Sequence, residues 1–285
     1  AVIAVIVASA LERMDTTAVT THLLRMLDTG SDEGRRLALR VLAYTPEPER
    51  VRPALVALYD RSEGTLREAT LRTLIELPGE SHALLASVLE GQDPKLVDMA
   101  LAALTAARST AAIEEVRAIL GSVGRGTRHA KSLLAFFQAV PGAVREEEIL
   151  AFLRLANESS LATDVRIALI DALPAFGPSP SAAVKKQLEP IVASNNRKIV
   201  ESGLVMLSVM GDRGARKELL SSYDDFVDRN SRWAPAYARR AEILRRIRDL
   251  DDAIKDYKRA LELGREDPAA QADTYIGLAR CYALK

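Results

Sequence analysis

Apolar residues recur along this chain at helical spacing, three and four apart, and strict two-residue alternation is rare. The clearest recurring element is a Leu-x-x-Leu pair inside an apolar stretch that follows a polar start. It stands as Leu39/Leu42, Leu71/Leu74, Leu101/Leu104, Leu134/Phe137, Ile170/Leu173 and Leu204/Leu207. The second member of each pair lies 32, 30, 33, 36 and 34 residues after the one before, which is the period of a helical solenoid. A further copy ending at Leu11 precedes Leu42 by 31 residues. That copy makes the apolar start, Ala1 to Ala8, the second helix of a repeat. The run ends at Glu12 and Arg13, too short to cross a bilayer, and no basic region precedes it as a signal peptide requires.

Each period holds another apolar helix ahead of the anchored one, over 51–59, 82–89, 113–120, 149–155 and 184–192. Helix stops and caps separate them: Pro46 and Pro48, Pro78-Gly79, Asp93-Pro94, Pro141-Gly142, Gly177-Pro178-Ser179-Pro180, Asn195-Asn196 and Gly211-Asp212. Gly121-Ser-Val-Gly124-Arg-Gly126 reads as an inter-helix loop. The expected fold is all-α, a right-handed α-solenoid of stacked helix pairs with about fifteen helices.

The anchored helices resemble HEAT-like repeats of the short kind named after the phycobilisome lyases. An acidic cap, Val-Arg and spaced Ala and Leu carry the likeness in Asp164-Val165-Arg166-Ile167-Ala168 through Ala172-Leu173. Arg67, Ala69 and Leu74 repeat it, as do Arg35, Ala38 and Leu42. Val97, Ala130 and Val200 stand at the arginine position in the remaining copies.

A second pattern follows Trp233. Tyr237, Ala241 and Leu244, then Ala253, Tyr257 and Ala260, fall at the small and aromatic places of a tetratricopeptide repeat, which this segment resembles. Arg240-Ala241 replaces the usual Leu-Gly pair. Tyr275, Leu278, Ala279 and Tyr282 restart the pattern, with Ala279 lying 38 residues after Ala241. The expected organisation is a HEAT-like array over 1–230 and a tetratricopeptide unit over 231–285 that includes the first helix of another repeat. The chain then reads as a window on a longer solenoid.

Composition narrows the function. The chain of 285 residues has 39 basic and 39 acidic side chains, so its formal net charge is zero. That balance disfavours nucleic acid and anionic membranes as partners. One cysteine and three histidines exclude a disulfide framework and a Cys-based zinc site, so neither metal nor cofactor is expected. No nucleophile motif or phosphate loop stands out, and the chain is expected not to be an enzyme. With no targeting signal or membrane span, a cytoplasmic location is expected.

The neutrality hides an asymmetry. Residues 231–285 hold 12 basic and 9 acidic side chains, net +3, which leaves net −3 for the rest. Helix 236–248 carries Arg239, Arg240, Arg245, Arg246 and Arg248 against Glu242. Arg239, Glu242, Arg245 and Arg246 are therefore binding candidates for an acidic peptide or carboxylate. Ala238, Glu242, Arg245 and Arg246 occupy the groove positions of a tetratricopeptide helix, without the Lys/Asn pattern of a chaperone-tail clamp. Polar places on the anchored helices give a mixed row that includes Arg36, Arg40, Glu68, Arg72, Asp171, Glu201 and Val205. Mixed sign suits a protein partner. Arg35, Arg67 and Arg166 recur in register and are expected to satisfy helix ends through a capping acid or a carbonyl of the neighbouring repeat. The function expected is a non-catalytic protein-interaction scaffold. Nucleic-acid or acidic-ligand binding through helix 236–248, and a lyase-type accessory role implied by the HEAT-like resemblance, are the alternatives.

Overall fold

The computed structural model describes residues 16–79, 81–177, 181–265 and 268–285. The apolar start and the repeat ending at Leu11 lie outside the described residues, as do Pro178 and Pro180. Among the described residues the chain is all-helical and contains no strand. The α-helices are α1 (Thr16–Thr29), α2 (Asp32–Leu42), α3 (Pro48–Arg61), α4 (Gly64–Glu76), α5 (His82–Glu90), α6 (Pro94–Ala107), α7 (Ile113–Gly121), α8 (Val123–Arg128) and α9 (Ala130–Ala139). They continue as α10 (Glu146–Asn157), α11 (Thr163–Ala172), α12 (Ala182–Val192), α13 (Arg197–Val209), α14 (Arg213–Arg229), α15 (Ala234–Arg246), α16 (Leu250–Leu263) and α17 (Pro268–Leu284). No described helix is long and apolar enough to cross a membrane.

The caps form where polar residues precede apolar runs. Asp93 Oδ1 accepts from the amides of Lys95 (2.9 Å) and Leu96 (3.4 Å), Asn196 Oδ1 from Lys198 (3.1 Å) and Asp212 Oδ1 from Ala215 (3.0 Å). Each cap satisfies amides that the first helical turn leaves without a carbonyl. One loop expectation is corrected. Residues 123–128 form the short helix α8, whose Gly126 amide donates to the Ser122 carbonyl at 2.6 Å. Its packing against α10 outweighs the low helix propensity of its two glycines.

The chain divides into two compact units. One comprises the described residues up to Ile119 together with Ala135–Val140; the other comprises Leu120–Leu134 with Pro141–Lys285. Within the first, α1 packs on α2, α3 on α4 and α5 on α6, while α1 also touches α3, α2 touches α4 and α4 touches α6. Next-neighbour and next-but-one contacts recur in the second unit, where α10 packs on α11 and α12, α13 on α11, α12 and α14, and α15 on α14, α16 and α17.

The anchor residues form the cores. Leu42, Leu74, Leu104, Phe137 and Leu173 are fully buried, and Leu207 is partly buried against the core of the second unit. Burying one such side chain stabilises by roughly 1.5–3 kcal/mol, so a periodic leucine row supplies much of the driving force. In the second unit a continuous apolar cluster runs from Leu204 and Val205 of α13, through Leu219 of α14 and Ala241 and Leu244 of α15, to Tyr257 of α16 and Cys281 of α17. Helices before and after residue 230 thus share this core.

Candidate functional site

Helices α15, α16 and α17 enclose an open groove of about 480 Å³. Its walls come from matching places on α15 and α17. Pro235 and Asp273, Ala238 and Ile276, Arg239 and Gly277, and Glu242 and Arg280 all line it, and each pair is 38 residues apart. This is the same spacing as that from Ala241 to Ala279. The two walls of the groove are therefore lined at corresponding places of α15 and α17. Alanines on its walls, Ala234, Ala238 and Ala260, leave space that larger side chains would fill.

Tyr257 of α16 forms the floor. Its hydroxyl donates to Glu242 Oε2 at 2.8 Å, and Arg245 donates to both oxygens of the same carboxylate, at 2.9 and 2.5 Å. Burial pushes the Tyr257 hydroxyl well above its usual 10, and the Glu242 hydrogen bond adds to the shift. Burial alone would raise the Glu242 carboxyl. The hydrogen bonds from Arg245 and Tyr257, with Arg246 nearby, outweigh it and hold the group below its ordinary 4.5. At neutral pH the floor is therefore a neutral phenol donating to an ionised carboxylate. Alpha-helix α17 comes close enough that a Cβ on Gly277 would lie 2.5 Å from Tyr257 Cζ.

The arginines singled out in the sequence take different places. Arg240 grips Asp256 with two donors, at 2.6 and 2.8 Å, and Asp224 at 3.0 Å. The hydrogen bond to Asp256 drives its guanidinium pKa upward, so the charge is locked. Arg245 is engaged by Glu242, and Arg246 reaches Asp171 at 2.6 Å and Glu201 at 3.0 Å. Arg239 alone of the four from 239 to 246 is exposed, its guanidinium 5.6 Å from the ring centres of both Phe226 and Trp233. Glu242 and Arg239 line the groove, whereas Arg245 and Arg246 do not.

The mixed row of the first unit divides as well. Arg36 donates to Thr65 Oγ1 at 2.6 Å and Lys95 pairs with Glu68 at 3.2 Å, while Arg40 and Arg72 stand exposed. All four row residues lie on α2 and α4, which pack together. Val205, placed in the polar row from its spacing, is instead buried in the core of the second unit. The row register fails there because α13 is covered by α14 as well as by α11 and α12.

The recurring arginines sit at helix ends. Arg35 donates to the carbonyls of Leu27 (3.0 Å) and Asp28 (3.1 Å) at the end of α1, and Arg166 to the Ala156 carbonyl at 2.6 Å at the end of α10. Arg67 lies 4.4 Å from the centre of the Tyr59 ring near the end of α3. Arg35 also pairs with its expected capping acid, Asp32, at 3.4 Å, while the carbonyls belong to the preceding helix of the same hairpin rather than to a neighbouring repeat. Cys281 is buried, and no three His, Cys, Asp or Glu side chains among the described residues are placed to hold a metal ion.

Sequence reasoning missed Asp171, Asp256 and Glu201 as arginine partners, and Asp273, Gly277 and Arg280 as groove residues. The latter three were accessible through the 38-residue shift from α15. Compared with known proteins, the chain matches no family model, no curated protein and no solved structure.

Proposed function

We propose that this chain is a non-catalytic protein-interaction scaffold. In this reading it is a right-handed α-solenoid, with HEAT-like repeats over 1–230 and a tetratricopeptide-type unit over 231–285. The α15–α17 groove, lined by matching positions one period apart, carries the reading. A groove with small side chains on its walls and charges spaced along it, Arg239, Glu242, Asp273 and Arg280, accepts an extended or helical peptide segment. The next-but-one helix contacts within each unit support the stacked-repeat part of the proposal. The engagement of Glu242 by Arg245 and Tyr257 fixes one polar landmark in the groove before any partner arrives, which lowers the ordering cost of binding.

Peptide-library display against the chain tests this. The wild type is expected to enrich a related family of peptides. Ala238→Trp, which fills the groove from a half-buried position, is expected to lose that family while keeping the helical circular dichroism and melting of the parent. Failure to enrich any family, or its retention by Ala238→Trp, overturns the proposal.

A further inference from the structure

A second groove, of about 660 Å³, lies among α13, α14 and α15. Arg197 and Lys198 enter from the first turn of α13, Arg229 from the last turn of α14 and Arg239 from α15. All four are exposed. None has a carboxylate partner among the described residues. Arg229 spends its Nε on the Asp225 carbonyl at 3.0 Å, and Arg239 stacks beside Phe226 and Trp233.

Arg240, Arg245 and Arg246, by contrast, are each neutralised by acids within the protein. Of the two acids that line this groove, Glu201 is already held by Tyr223 at 2.5 Å and by Arg246 at 3.0 Å. Asp225 leaves the balance of the lining positive. An uncompensated cationic hollow in a chain of zero net charge is a place where an anion replaces water at a gain.

We infer that this groove docks an acidic segment of a partner protein, whose carboxylates meet Arg197, Lys198, Arg229 and Arg239. The inference rests on the protein-scaffold reading but uses a separate groove, which shares only Arg239 with the α15–α17 groove. Two features select a peptide over a nucleic acid. The cationic patch is local and bounded on α14 by Asp224, Asp225 and Asp228, so it matches a short acidic stretch and not a long, continuously charged phosphate backbone. Trp233 and Phe226 form an edge-to-face pair, 5.8 Å between centres, and Trp233 remains 45% exposed. An apolar residue among the acids would find its contact there.

Fluorescence anisotropy with a labelled hexaglutamate peptide tests the site in the full chain. Expected is saturable binding that weakens with added salt, absent for a hexaglutamine peptide. Lys198→Glu combined with Arg229→Glu is expected to weaken it by about tenfold or more. Lys186→Glu, an exposed change on α12, is expected to leave it unchanged. Circular dichroism of the double variant checks that its fold is kept. Hexaglutamate binding that is absent or indifferent to the double charge reversal overturns the inference, as does tighter binding of an oligothymidylate. Selection of peptides in the α15–α17 groove without hexaglutamate binding leaves the scaffold reading standing and removes only this one.

Discussion

Arg246 binds Asp171, 75 residues earlier in the chain, with 2.6 Å between guanidinium nitrogen and carboxylate oxygen. The same side chain holds Glu201 at 3.0 Å. One residue of α15 thereby clasps α11 and α13. Arg246 therefore serves the fold before it serves any ligand.

Arg246→Met is expected to destabilise the second unit by about 1–2 kcal/mol, since it strips charge-assisted bonds from the partly buried Glu201 and the exposed Asp171. Urea denaturation measures the change. A double-mutant cycle with Asp171→Ala should give a coupling of about 0.5 kcal/mol or more. Strict additivity would show that the pair does not interact in solution.

Gly277→Ala sets two effects against each other. Alanine is the better helix former by about 1 kcal/mol. Its Cβ, however, would lie 2.5–2.6 Å from ring and hydroxyl atoms of Tyr257, and overpacking of this kind costs about 1–3 kcal/mol. A lower melting temperature is expected. A rise would mean that α17 does not approach Tyr257 this closely.

Leu104→Asp places a carboxylate at a fully buried anchor of α6. Loss of more than about 3 kcal/mol is expected, from the lost apolar burial and the unpaired charge together. An unchanged thermal melt would contradict the anchor assignment.

Glu242 predicts a pH dependence. Its folded pKa lies below the ordinary 4.5, so protonation is harder in the folded state. Its stabilising contribution is complete above the unfolded value and fades as pH falls through the lower folded one. Glu242→Gln should melt below the parent at neutral pH, with the gap closing as the pH falls below 4.5 and through the lower folded value. A gap that is constant down to acid pH would show that the Arg245 and Tyr257 bonds do not depend on the charge.

The fold was legible because its main signal is local. Leu39/Leu42, Leu71/Leu74 and Leu101/Leu104 are each paired at helical spacing, and a residue needs no distant partner to mark an apolar face. The arginines at 35 and 166 were legible in role for the same reason, since each hairpin presents similar carbonyls. The site was read less well. Arg246 looked available because its acids lie 45 and 75 residues away, and sequence spacing does not reveal such pairs. Arg240 looked available for the same reason, with Asp256 and Asp224 each 16 residues off on neighbouring helices. Lys198 and Arg229 escaped notice because they sit at opposite ends of consecutive helices and meet only after α13 and α14 pack. Glycines at 124 and 126 pointed to a loop, and tertiary packing made a helix there instead.

The most direct test of the scaffold proposal is hydrogen–deuterium exchange of the chain with and without a peptide enriched by display. Slowed exchange confined to α15 and α17, extending into α16 beneath Tyr257, is the predicted result. Unchanged exchange in those helices, or protection only on other helices, would contradict it.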